Sequence, residues 1–152
     1  MDKSTRPARL FTFAAAGFVV LGPLLEMVRH KPSIDIYFHD GYFAIPNWMA
    51  TLIAAAICGM FALLYFGCGR LLRIPLNRGL SLANFLLIVL PLGTLIFELH
   101  SIHPNLESGL DSWAIKFVLI TYIAWMICFI VGCMLFVLNF SWTLVRVART
   151  RA

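Results

Sequence analysis

The sequence predicts an all-α integral membrane protein, a four-transmembrane-helix bundle with both termini in the cytoplasm. Three observations carry that prediction. The 152 residues are 61% hydrophobic and only 12% charged, against about 45–50% and about 25% in ordinary soluble domains. The apolar residues gather in four stretches, each near or above the roughly 20 residues that cross a bilayer. The few basic residues are sorted to one side of those stretches. With a mean hydropathy of +0.89, the composition excludes a disordered chain, which needs low hydrophobicity and high charge. It also leaves too few ions to coat a soluble enzyme domain.

The first stretch, residues 10–28, follows a basic tail of Lys3, Arg6 and Arg9. It is too long for a signal-peptide core, and its end, Leu24-Leu25-Glu26-Met27-Val28, is a poor cleavage site, so it reads as a retained helix. The second stretch runs over 44–67, the third over 80–99 and the fourth over 113–145, all within one domain of residues 1–152. The fourth exceeds one crossing and is expected to tilt or project, with Lys116 near its start reaching for the headgroups. Pro23 and Pro91 are expected to kink the first and third helices. The run Ala14-Ala15-Ala16-Gly17 and the spaced Ala55, Gly59 and Ala62 predict close helix contacts, and Asn84 and Asn139 predict hydrogen bonds between helices. Tyr37, Tyr42, Trp48 and Trp113 on one side, and Tyr65, Phe66 and Trp142 on the other, read as interfacial aromatics.

Orientation follows from charge. Lys3, Arg6, Arg9, Arg70, Arg73, Arg78, Arg146, Arg149 and Arg151 fall on one side, which is nine of the twelve basic residues. The positive-inside rule places that side, and with it both termini, in the cytoplasm. Six of the seven acids and all four histidines fall on the opposite side. The net charge of +5 is therefore a membrane-edge signature, and no basic stripe with interleaved aromatics points to nucleic acid. Cys58, Cys68, Cys128 and Cys133 lie in or at the ends of apolar runs without metal-ligand spacing, as small hydrophobes do.

The polar chemistry is thus concentrated on the acidic side. His39 and Asp40 lie in the first connection on that side, and Glu98, His100 and His103 at the outer end of the third helix. If that helix continues, His100 and His103 share a face at i, i+3. Imidazole with carboxylate is a donor set for zinc, copper or iron, so these five residues form the candidate metal site. The competing reading is a set of solvated interfacial histidines ended by Pro104. Glu26 is a shallow acid that can pair with Arg29, His30 or His100, or reach water.

The segment Ile34-Asp35-Ile36-Tyr37-Phe38-His39-Asp40-Gly41-Tyr42-Phe43-Ala44-Ile45 is the most specific in the chain. Read from its residues, Ile34 to His39 alternate like a short strand or extended arm. Asp40-Gly41 is a turn signal, and Asp40 is a candidate cap for the next helix. The segment resembles a stretch of haem-copper oxidase subunit I, where His-Asp-Thr-Tyr-Tyr/Phe leads into a membrane helix. His39, Asp40, Tyr42 and Phe43 match, and Gly41 replaces the threonine. The resemblance implies that the family's two haem-ligand histidines fall on Asn47 and Met49. Asparagine is not a useful haem ligand but methionine can be one, which makes Met49 the candidate cofactor-binding residue. Without the partner histidines, the resemblance does not imply a terminal oxidase. It covers about a dozen residues. The chain is also similar to small bacterial four-helix membrane proteins that carry this segment after their first helix, which implies a bacterial inner membrane.

No nucleophile elbow, phosphate-binding loop, zinc-protease motif or dinucleotide fingerprint is present. The leading expectation is a non-enzymatic accessory, assembly or interaction protein, without a cofactor. Its partners would be the lipid bilayer and either further copies of itself or a larger membrane complex. One alternative is a metal- or haem-binding protein in electron transfer or redox sensing. Another is an immunity protein against a membrane-acting toxin, an analogy of architecture alone.

Overall fold

The computed structural model describes residues 6–29, 33–38, 41–72, 76–106 and 112–151. Four helices dominate: α1 (Arg6–Arg29), α2 (Asn47–Phe66), α3 (Arg78–Leu106) and α4 (Ser112–Arg151). All four are long and apolar enough to cross a membrane. Between α1 and α2 lies an antiparallel hairpin of β1 (Ser33–Phe38) and β2 (Gly41–Pro46). Phe38 pairs with Gly41, which leaves two residues, His39 and Asp40, to connect the strands, as the commonest hairpins do.

The hairpin corrects the expected start of the second helix. Ala44, Ile45 and Pro46 belong to β2, and α2 begins at Asn47. The cause is local: a residue before proline is driven to extended backbone, and Pro46 at a strand end withholds no needed donor. Asp40, the candidate cap, lies outside the described residues. The other helices outrun their expected bounds. α1 passes through Pro23, α3 through Pro91 and Pro104 to Leu106, and α4 continues to Arg151. At 40 residues, α4 is about 60 Å long, twice the hydrocarbon thickness of a bilayer. After Phe66 the chain forms a π-helical turn, Gly67–Leu71, with Leu72 N–H donating to the Gly67 carbonyl at 3.0 Å.

Side-chain pairs fix the topology. Phe11 stacks on Phe61 and Tyr65, while Gly22 approaches Thr51, so α1 and α2 run antiparallel. Asn77 and Ser81 bond Asn139, and Asn84 bonds the Gly132 carbonyl, so α3 and α4 do too. Two helical hairpins result, joined by an aromatic cluster near the arginine-bearing end of the bundle. Phe11 also meets Phe85 edge-on at 5.1 Å, and Phe136 meets Phe61 and Tyr65 edge-on at 6.0 and 5.1 Å. One residue from α1, two from α2, and one each from α3 and α4 thus share a single packed centre. In lipid, where no hydrophobic drive separates helix from solvent, such contacts and polar bonds hold a bundle together.

Tyr65 departs from its expected interfacial place: it is 1% exposed, inside this cluster. Trp142, by contrast, is 73% exposed, as an interfacial aromatic would be. The small residues divide. Ala54, Ala55 and Ala62 are buried in the core and Ala14 and Ala15 pack on it, but Ala16 and Gly17 are exposed. A Cβ on Gly59 would meet nothing within 4 Å, so Gly59 lines open space and not a helix contact. All four cysteines are free thiols, Cys58 and Cys68 buried.

Candidate functional site

The best-defined polar site joins α3 and α4. Asn77 precedes the first residue of α3, and its Oδ1 accepts hydrogen bonds from Gly79 N–H at 2.9 Å and Leu80 N–H at 3.4 Å. An asparagine before an apolar helix supplies such a cap, satisfying donors the helix itself cannot. The main chain of Asn77 is held from the other side. Its N–H donates to Asn139 Oδ1 at 2.9 Å, and its carbonyl accepts from Asn139 Nδ2 at 3.1 Å. Asn139 Nδ2 also donates to Ser81 Oγ at 3.1 Å, and Ser81 Oγ–H donates to the Asn77 carbonyl at 2.7 Å. Asn139 and Ser81 are fully buried. A single side chain of α4 therefore reads both backbone groups of the residue that starts α3. One turn on, Thr143 Oγ–H returns to the Asn139 carbonyl at 2.7 Å.

A second bond repeats the theme two turns deeper. Asn84, fully buried, donates through Nδ2 to the Gly132 carbonyl at 2.5 Å. The glycine permits the approach, since a Cβ there would come within 2.8 Å of Ile88 Cδ1. Gly132→Ala is accordingly expected to cost about 1 kcal/mol, the low end for overpacking, because a terminal methyl can rotate away. Detergent unfolding curves would measure it. Three buried polar atoms lack a partner among the described residues: Tyr65 Oη, Asn84 Oδ1 and Trp125 Nε1. Ser81 is the polar neighbour of the Tyr65 hydroxyl, without a hydrogen bond of good geometry between them.

This arrangement holds helices together and positions no nucleophile or acid–base pair. Asn84 and Asn139 form the interhelical bonds expected of them. Asn77, Ser81 and Thr143 went unrecognised, although an asparagine directly before an apolar run is a readable helix-start signal.

The acidic-end candidates stand differently. His39 and Asp40 lie outside the described residues. Glu98, His100 and His103 fall on the continuous α3, their side chains outside the described set, as is that of Lys116. Helical periodicity places the His100 and His103 backbone positions on one face. Met49 sits in the first turn of α2, 45% exposed. Among the described residues, no three of His, Cys, Asp and Glu gather as metal ligands would.

Comparison with known proteins extends the resemblance well past a dozen residues. Over 96 residues, 63% of this chain, the sequence is 29% identical to cytochrome c oxidase subunit 1 of Eremothecium gossypii. Over 89 residues, 57% of the chain, it is 28% identical to cytochrome c oxidase subunit 1 of Yarrowia lipolytica. The matches cover 18% and 17% of those proteins. The chain thus spans less than a fifth of the length of the curated relatives it matches. No family model matches, and no solved structure matches. The chain is a membrane-spanning helical protein similar to part of an oxidase subunit 1.

Proposed function

We propose that this chain is a non-catalytic membrane protein that works through helix contacts inside a larger assembly, as an accessory or assembly component. One observation carries the reading: beyond its pairing with α3, α4 leaves most of its apolar surface uncovered, with only 11% of its span buried. Ile123, Met126, Ile127, Ile130, Met134, Val137 and Leu138 are all exposed large hydrophobics on this one helix. The similarity to a part of cytochrome c oxidase subunit 1 supports membership of a multi-helix membrane complex. The charge bias supports both termini on the cytoplasmic face of the membrane.

Purification in mild detergent tests this. The expected result is a particle well above the mass of one chain, which Ile130→Arg or Met134→Arg returns to the monomer. A monomeric wild-type protein in native membranes and in detergent alike would overturn it.

A second reading is favoured by one observation, the continuity of α3 through His100 and His103. With His39 and Asp40, which the charge bias assigns to the same side of the membrane, they would supply imidazole and carboxylate donors to a divalent metal, and Met49 a thioether to haem. Purified protein that retains metal, and loses it in His39→Ala and in His100→Ala, would support this reading. Protein without metal or a Soret band after supplemented growth would end it.

A further inference from the structure

A lateral groove of about 910 Å³ runs between α1 and α2, lined by Ala8, Thr12, Ala15, Gly59, Ala62 and Leu63, with Arg9, Phe66 and Arg70 also on its wall. We infer that this groove binds an anionic phospholipid, the phosphate held by Arg9 and Arg70 and an acyl chain lying along the small residues. Its volume is within the range of small-molecule sites.

Three observations converge on that occupant. First, the groove is amphiphilic in one direction. Arg9 sits in the first turn of α1 and Arg70 in the π-helical turn after α2, at the borders of the spans Arg6–Val28 and Trp48–Arg70, which is the level of lipid phosphates. The remainder of the wall is apolar apart from the Thr12 hydroxyl, which is already bonded to the Ala8 carbonyl at 2.9 Å.

Second, the positive charge is uncompensated within the described residues. Glu26 is the only acid whose side chain is described. It lies on the same helix as Arg9 but 17 residues along, about 25 Å away at 1.5 Å per residue. The Arg70 guanidinium rests over the Phe66 ring at 5.7 Å, a contact that steadies a cation without neutralising it. The π-helical turn Gly67–Leu71 shifts Arg70 relative to a continuing α-helix.

Third, the depth of the groove comes from missing side chains. Gly59 has open space where its Cβ would be, while neighbouring Leu63 is largely exposed on the rim. Basic residues at a membrane border attract anionic lipids electrostatically, and a hydrocarbon chain fills a groove that no protein side chain fills. The inference stands whether or not the chain joins a larger assembly.

The test uses the full-length protein, delipidated in detergent and examined by native mass spectrometry with added dioleoylphosphatidylglycerol, dioleoylphosphatidylcholine or inorganic phosphate. The wild type is expected to retain one phosphatidylglycerol in preference to phosphatidylcholine. Arg9→Gln with Arg70→Gln should weaken phosphatidylglycerol binding at least about tenfold and erase the preference. Gly59→Leu, which has room for its Cβ and improves helix propensity, should fold normally by circular dichroism and bind neither lipid. Equal retention of both lipids by wild type, or unchanged retention by Gly59→Leu, would overturn the proposal. Displacement of bound lipid by millimolar inorganic phosphate would overturn it also, by assigning the arginines to a soluble anion.

Discussion

Asn139→Leu is expected to destabilise the bundle by about 2–4 kcal/mol. The substitution keeps the volume of the side chain but removes three hydrogen bonds, two to the main chain of Asn77 and one to Ser81. Interhelical hydrogen bonds in membranes average about 0.6 kcal/mol, with about 1.7 as a maximum, and stranding the Asn77 N–H adds the cost of an unsatisfied donor. The pattern of coupling is as informative as the size. Asn77→Ala should cost about 1 kcal/mol through loss of the cap. It should add nearly independently to Asn139→Leu, because Asn139 bonds the backbone of residue 77 and not its side chain. Ser81→Ala should be non-additive with Asn139→Leu, since those side chains touch. Denaturation in mixed detergent micelles, followed by circular dichroism, measures all three. Loss of less than about 0.5 kcal/mol in Asn139→Leu would mean that α3 and α4 are held by packing alone.

The second large effect is expected at the crossing of α1 and α2. A methyl group on Gly22 would collide with the Thr51 hydroxyl oxygen. That oxygen cannot simply swing aside, since Thr51 is buried and its hydroxyl donates to the Trp48 carbonyl at 2.8 Å. Gly22→Ala should therefore destabilise by about 1–3 kcal/mol, the usual cost of overpacking. The remedy is specific. In Thr51→Ala the hydroxyl is gone, and the remaining Cβ would sit 3.4 Å from the new methyl, ordinary contact. The double variant Gly22→Ala, Thr51→Ala should recover most of the loss, whereas Thr51→Ser, which keeps the hydroxyl, should not. A rescue by serine as good as that by alanine would show that the crossing is looser than the structure has it.

Much of this was legible in the sequence, for reasons that mark where legibility stops. The four spans follow from hydropathy, because a lipid-facing helix must be apolar all round. For the same reason periodicity was silent on which faces meet, and nothing flagged Phe11, Phe61, Phe85 and Phe136 as a shared centre among thirteen phenylalanines. Asn84 and Asn139 stood out because a polar side chain in a span needs a partner. The partners themselves, a backbone carbonyl at Gly132 and the main chain of Asn77, have no side-chain signature. Tyr65 was misplaced because an aromatic near a span end is usually interfacial, and only tertiary packing draws it inward. The hairpin was half visible: alternation in Ile34–Phe38 and the Asp40-Gly41 turn pointed to it, but the apolar residues Ala44 and Ile45 were counted into the helix. The groove beside Gly59 was missed because a small residue reads the same whether a helix or a lipid lies against it.

The central claim is that the exposed face of α4 is a protein contact and not merely a lipid-facing surface. Photo-crosslinking in native membranes tests it most directly, with a photoreactive amino acid placed in turn at Ile130, Met134 and Val137, and at Met27 and Leu63 as exposed apolar controls on other helices. The account predicts a discrete higher-mass adduct from the three α4 positions and none from the controls. Adducts from none of the five, or from all five alike, would contradict it.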